Sequence, residues 1–300
     1  MLCASLLAVI GLVVAVKLDH TGLHGIARAS AATSHPHPHP GRRASRPPDR
    51  EPPRHRDPLG RAVASYAGSR AGRILAAVYD LRTGQLWTLG HGPPQPEASI
   101  VKLDIIETLD AQHHGRGSAV PGTDQLLAQS MIEDSDNAAA TSLWDTVGGP
   151  GAIRSFNAEA GMRRTTPSAC VECPGFPWPG WGLTTTVPTD QIMLLRQLVR
   201  PGRLLSDAQR AGVLRLMENV TPAQRWGVSG GVPAHATVAL KNGWLPLNPA
   251  GTDWQINSVG WISGSGRDYL IAVLTTGNPA EQYGIGTIEG VSAMVWAGMS

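Results

Sequence analysis

RILAAVYDLRTGQLWTLG, residues 73–90, and SIVKLDIIETLDAQ, residues 99–112, decide how this chain folds. In the first, residues 74–78 are all apolar and Arg82-Thr83-Gly84 supplies a turn. Residues 73–80 and 85–90 therefore read as the two strands of a hairpin. The second stretch repeats apolar residues at helical spacing and reads as a helix that opens at Ser99. Downstream, helical patterns continue through TDQLLAQSMIE, DNAAATSLWDTVG, PTDQIMLLRQLV and SDAQRAGVLRLMENV to about residue 220. Strand patterns return at 235–243, 255–263 and 269–276, and a last helix covers 287–299; upstream, 59–66 reads as a short helix. Strands at both ends with helices between predict one mixed α/β domain over 59–300. Its sheet is five-stranded, mostly antiparallel, built from both chain ends and flanked by helices, with an inserted all-helical subdomain. A cleft between the sheet and the helical block is the expected place for a site.

Before this domain the composition changes twice. Residues 2–16 are an unbroken run of apolar and small residues. As a helix the run spans about 22 Å, short of the roughly 30 Å of a bilayer core. Residues 1–32 therefore read as an export signal, with small-residue cleavage sites at Ala27-Arg28-Ala29 and Ala29-Ser30-Ala31, or as an uncleaved anchor. Residues 33–58 are rich in Pro, Arg and His, including His35-Pro36-His37-Pro38-His39-Pro40, and read as an extended linker. An exported protein, secreted or held at the cell envelope, is expected. A formal charge of +2 does not argue for nucleic acid as a partner. Of the 25 basic residues only Lys17, Lys102 and Lys241 are lysines. In a chain that uses arginine for ordinary surface cations, a surviving lysine is a candidate for work that requires giving up a proton.

Both lysines of the domain fall in short motifs. Ser99-Ile100-Val101-Lys102 stands at a helix start, where free N–H groups and the dipole favour negative charge. The i, i+3 spacing sets Lys102 on the face of Ser99, among apolar neighbours that disfavour its protonated form. Ser135-Asp136-Asn137 opens a later helix: its hydroxyl is placed to relay a proton, and the Asn137 amide to hold a substrate carbonyl. Lys241-Asn242-Gly243 ends a strand, with Gly243 allowing close approach of a ligand. Taken singly, each has a plainer structural role, as an N-cap, a surface cation or a turn. Their order, and their capture of both lysines, favours chemistry.

Together the three resemble the Ser-x-x-Lys, Ser-Asp-Asn and Lys-Thr-Gly set of class A β-lactamases and penicillin-binding proteins. The resemblance extends over about residues 59–296 and includes Val147-Gly148-Gly149-Pro150 and Thr184-Thr185-Thr186-Val187-Pro188. It implies an acyl-enzyme at Ser99, with Lys102 taking the proton, Ser135 passing one to the leaving nitrogen, and Lys241 supplying positive field. Backbone N–H groups of Ser99 and Trp244 would form the oxyanion hole, and Asn137, Asn242, Gly243 and Trp244 would meet the substrate. The expected function is β-lactam hydrolysis, and hence antibiotic resistance. The alternatives are a D-alanyl-D-alanine peptidase or small esterase of the same fold, or a non-catalytic binding module that keeps the fold. The expected partner is a small β-lactam or cell-wall-peptide-like molecule, met by a monomer that needs no metal or cofactor.

The pattern departs from the family at several points. No Glu-x-x-Leu-Asn string is present, and Glu172, 37 positions after Ser135, stands nearest the expected place of the deacylating base. Asn242 replaces threonine in the third motif, and the chain between the first two motifs is short. Cys170 and Cys173 flank Glu172; in an exported protein a short disulfide is favoured over a redox motif or a zinc site. Trp178, Trp181, Trp244 and Trp254 are candidates to line the cleft or to pack in the core.

Overall fold

The computed structural model describes residues 56–299 apart from Gly175, Pro177 and Trp178. The expected leader, 1–32, and nearly all of the expected linker, 33–58, lie outside the described residues, as does Trp178. Among the described residues no helix is long and apolar enough to cross a membrane.

The hairpin forms as read, from β1 (Arg73–Asp80) and β2 (Leu86–Leu89). The C-terminal half supplies β5 (Thr237–Pro246), β6 (Trp254–Gly264) and β7 (Arg267–Asn278), after a two-residue pair, β3 (Gln95–Pro96) and β4 (Thr185–Thr186). β1 pairs antiparallel with β7 from Arg73 opposite Thr276 to Asp80 opposite Tyr269, so the two ends of the domain meet in one sheet of order β2-β1-β7-β6-β5. Both faces of this sheet are covered, which explains why its inner strands are apolar in continuous runs rather than alternating. One face, with Val78, Leu240, Ile256 and Ile271, packs against α1 (Arg61–Gly68) and α8 (Glu281–Gly298). The other, with Ala77, Ala239, Val259 and Leu274, joins the core of the helical block.

That block comprises α2 (Val101–Gly115), α3 (Gly122–Glu133), α4 (Asn137–Val147), α5 (Gly149–Ala160), α6 (Pro188–Val199) and α7 (Asp207–Glu218). α2 lies at its centre, buried at every residue from Val101 to Asp110. The expected architecture is therefore present. Two borders differ in an informative way. α8 begins at Glu281, because Gly284 and Gly286 lie inside the helix rather than before it. Lys241-Asn242-Gly243 lies in the middle of β5, not at its end, since the strand continues through Trp244 and Leu245 to Pro246.

Candidate active site

The site forms where α2, α4 and edge strand β5 converge. Ser99 stands in a single 3-10 turn, Ala98–Ile100, that leads directly into α2. Ala98, just before it, has a left-handed backbone at φ 51°, a conformation that costs a non-glycine residue roughly 1–2 kcal/mol. The turn is anchored on both sides. The Glu97 N–H donates to Thr184 O at 2.7 Å, and Asn257 Nδ2 donates to Glu97 O at 2.8 Å.

Ser135 is also left-handed, at φ 59°, between α3 and α4. The next residue, Asp136, caps α4 by accepting from the Ala139 N–H at 2.6 Å, which sets Asn137 at the first helical position. Lys102, one turn beyond Ser99 and fully buried, donates to Ser135 O at 2.6 Å, Asn137 Oδ1 at 2.8 Å and Ser135 Oγ at 3.1 Å. From β5, Lys241 donates to the same Ser135 Oγ at 3.0 Å. One hydroxyl thus receives two ammonium-type donors, which leaves its own hydrogen free for a third group. Burial, then the charge of nearby Lys241, holds the Lys102 amine well below the usual lysine range, while the surrounding oxygens favour its charged form. Burial alone brings Lys241 down to about 7.

Gly243 closes the site from the sheet side. A Cβ here would lie 2.7 Å from Ser99 N and from Glu97 O, so the strand backbone rests directly on the Ser99 turn. Gly243→Ala is expected to push the two apart at a cost of about 1–3 kcal/mol. Thermal unfolding of the variant would show the loss, and an unchanged midpoint would contradict this packing.

A cleft of about 210 Å³ opens over Ser99, lined also by Ser135, Asn137, Trp181 and Trp244. Trp181 sits with its ring centroid 5.2 Å from Lys102 Nζ and donates from Nε1 to Thr141 Oγ1 at 3.0 Å. Ser99, Lys102, Ser135, Asn137, Lys241, Gly243 and Trp244 lie together here.

Two expected members do not. The Asn242 side chain is not among the groups that line the cleft; it is engaged behind it, donating to Gln224 O at 2.7 Å and Trp226 O at 3.1 Å. Glu172 is exposed and lines a neighbouring hollow with Thr141, Cys173 and Phe176 rather than the Ser99 cleft. Its backbone bridges Pro179, and Cys170 and Cys173 on either side are joined as a disulfide. Trp254 does not reach the cleft either; its Nε1 donates to Gly251 O at 2.7 Å within its own turn. Trp181, by contrast, is a cleft residue, and nothing in the sequence distinguished it from the other tryptophans. Among the described residues no group of three His, Cys, Asp or Glu side chains is arranged to hold a metal ion.

Comparison with known proteins agrees with this fold. The model of the beta-lactamase enzyme family matches residues 118–299, more than half of the chain. The chain belongs to the beta-lactamase enzyme family. The matched stretch contains Ser135 and Lys241 and begins after Ser99 and Lys102. The chain is similar to "Putative lipoprotein LppW" of Mycobacterium tuberculosis and of Mycobacterium bovis, 27% identical over 220 residues that cover 71% of this chain. It spans 66% of the length of those relatives. Among solved structures, the TLA-1 extended-spectrum β-lactamase superposes with a TM-score of 0.71 at 17% identity, covering 79% of this chain and 96% of its own. A class A β-lactamase from Bacteroides cellulosilyticus gives 0.70 at 17% identity, covering 81% and 98%. At these identities the structural likeness establishes the class A β-lactamase fold. The arrangement of a beta-lactamase-family domain, an antiparallel sheet with a helical insert and a cleft between them, is thus the frame in which Ser99 stands.

Proposed function

We propose that the chain is an exported serine hydrolase that opens β-lactams through an acyl-enzyme at Ser99. The observation that carries the reading is the convergence of Lys102 and Lys241 on Ser135 Oγ, at 3.1 and 3.0 Å, beside the Ser99 cleft.

Ser99 Oγ attacks the lactam carbonyl carbon while its proton passes to Lys102 Nζ. The developing oxyanion is held by the backbone N–H groups of Ser99 and Trp244. When the ring C–N bond breaks, Ser135 Oγ gives its hydrogen to the departing nitrogen and is resupplied by a lysine. Water then adds to the ester and releases the opened product. A substrate carboxylate near Lys241 restores the positive charge that burial weakens. Lys102 serves as base only when neutral, so acylation rises as pH climbs through its lowered folded value. Export is supported by the apolar run at 2–16, the Cys170–Cys173 disulfide and the lipoprotein name of the mycobacterial relatives.

The exposed position of Glu172 favours a second reading, in which the acyl group is held rather than quickly hydrolysed. This is the behaviour of a D-alanyl-D-alanine peptidase or small esterase meeting a β-lactam. Incubation with a fluorescent penicillin and a chromogenic cephalosporin separates the readings: labelling with turnover supports hydrolysis, and stable labelling supports the second. Absence of both labelling and turnover would contradict β-lactam chemistry at this site.

Glu172→Gln is expected to deacylate at the wild-type rate, because its carboxylate lies in solvent outside the cleft. A single-turnover time course checks this. Accumulated acyl-enzyme, slowed by the 10²–10⁴-fold that a lost general base typically causes, would place Glu172 in the mechanism after all.

A further inference from the structure

Behind Ser99 lies a set of acids that the proposed reaction does not use. Glu97 and Asp104 are both fully buried, and their carboxyls are within hydrogen-bond reach of each other. Each has one oxygen satisfied by an amide: Gln191 Nε2 donates to Glu97 Oε1 at 3.2 Å, and Asn157 Nδ2 donates to Asp104 Oδ1 at 2.8 Å. The remaining oxygens, Glu97 Oε2 and Asp104 Oδ2, have no hydrogen-bond partner among the described residues. Two bare carboxylates in contact in a dry interior repel strongly, whereas one proton between them satisfies both oxygens.

The positions of the pair give it meaning. Glu97 directly precedes the strained Ala98, and Asp104 lies two residues beyond Lys102 on α2. We propose that Glu97 and Asp104 share one proton, and that this acid pair is a positioning device bracing the Ala98–Ser99 turn against the helix that carries Lys102. The proposal rests on the reading of Ser99 as nucleophile. The pair is faced from α6 by Gln191 and by Asp190, whose carboxylate accepts from the Arg164 N–H and Thr165 Oγ1. Thr186 of β4 and Asn157 of α5 complete the surroundings, with Glu107 and Asp110 the next acids along α2. Burial, then Asp104, holds Glu97 well above the usual carboxylate range, and burial brings Asp104 up to about 7.

A carboxyl whose folded value is raised keeps its proton in the native state where the unfolded chain has lost it. Stability therefore falls as pH rises from the unfolded value of about 4 through the folded one. The wild-type unfolding midpoint is expected to fall between pH 5 and pH 8, and that of Glu97→Gln to fall less, since the amide gives Asp104 a donor that does not titrate. Acylation by a fluorescent penicillin at pH 7 is expected to stay within about threefold of wild type in Glu97→Gln. In Glu97→Leu, checked for folding by near-ultraviolet circular dichroism, it is expected to slow by about tenfold or more, an effect of the size that misplacing reacting groups produces. Parallel midpoint curves for wild type and Glu97→Gln would overturn the shared proton, and this arm decides even if Glu97→Leu does not fold. Folded Glu97→Leu acylating at the wild-type rate would overturn the positioning role. If the wild type is not labelled at all, the β-lactam reading fails, while the midpoint curves still decide the pair.

Discussion

Ser99→Ala is expected to abolish covalent labelling by a fluorescent penicillin while leaving the unfolding midpoint close to that of the wild type. In the proposed reaction the Ser99 hydroxyl forms the ester, and no neighbour replaces it: Ser135 Oγ, the other hydroxyl lining the cleft, is already engaged by Lys102 and Lys241. Removing it takes little from the core, because Ser99 is part-exposed at the cleft floor between the buried Ala98 and Ile100. Alanine also keeps the backbone N–H that the proposed oxyanion hole needs. Gel fluorescence after denaturation, alongside a thermal melt, reads both parts of the expectation. A labelled alanine variant would remove Ser99 from the role of nucleophile.

Lys102→Arg is expected to slow acylation nearly as much as Lys102→Ala, by about 10²–10⁴-fold, although it keeps the charge. Two physical reasons converge. A guanidinium does not deprotonate in a protein, so it serves neither as base nor as proton relay. The pocket is also built for a compact amine: three oxygens lie within 2.6 to 3.1 Å of Nζ, with the Trp181 ring at 5.2 Å. A planar fork does not fit that fully buried space. Rates of labelling at several pH values test the point. Retention of more than about a tenth of the wild-type rate, roughly 1.4 kcal/mol of barrier, would reduce Lys102 to an electrostatic or packing group.

The architecture was legible because its signals are long-range in pattern and strong in type. The hairpin at 73–90 and the apolar strands of the C-terminal half read as they fold, and the scarcity of lysine pointed to Lys102 and Lys241 before any distance was known. What was not legible depends on orientation. Asp104, Glu107 and Asp110 recur every third residue, the spacing of a solvent-facing stripe, yet α2 is buried on that side too and the acids lie in the interior. Asn242 shares a motif with Lys241, yet its amide is spent on Gln224 O and Trp226 O, a pairing that a motif written in letters does not reveal. Glu172 falls at the right count along the chain, while the disulfide loop and the bridge to Pro179 decide which way it faces. β3 and β4 are two residues each, too short for any periodic signal, and still they tie the loop to the strand before Ser99.

Intact-mass analysis after exposure to benzylpenicillin, followed by peptide mapping, tests the central claim most directly. The expected result is a mass increase equal to one whole benzylpenicillin, carried by the peptide that contains Ser99. Full-length protein that remains unmodified without consuming the drug, or an adduct on any other peptide, would contradict it.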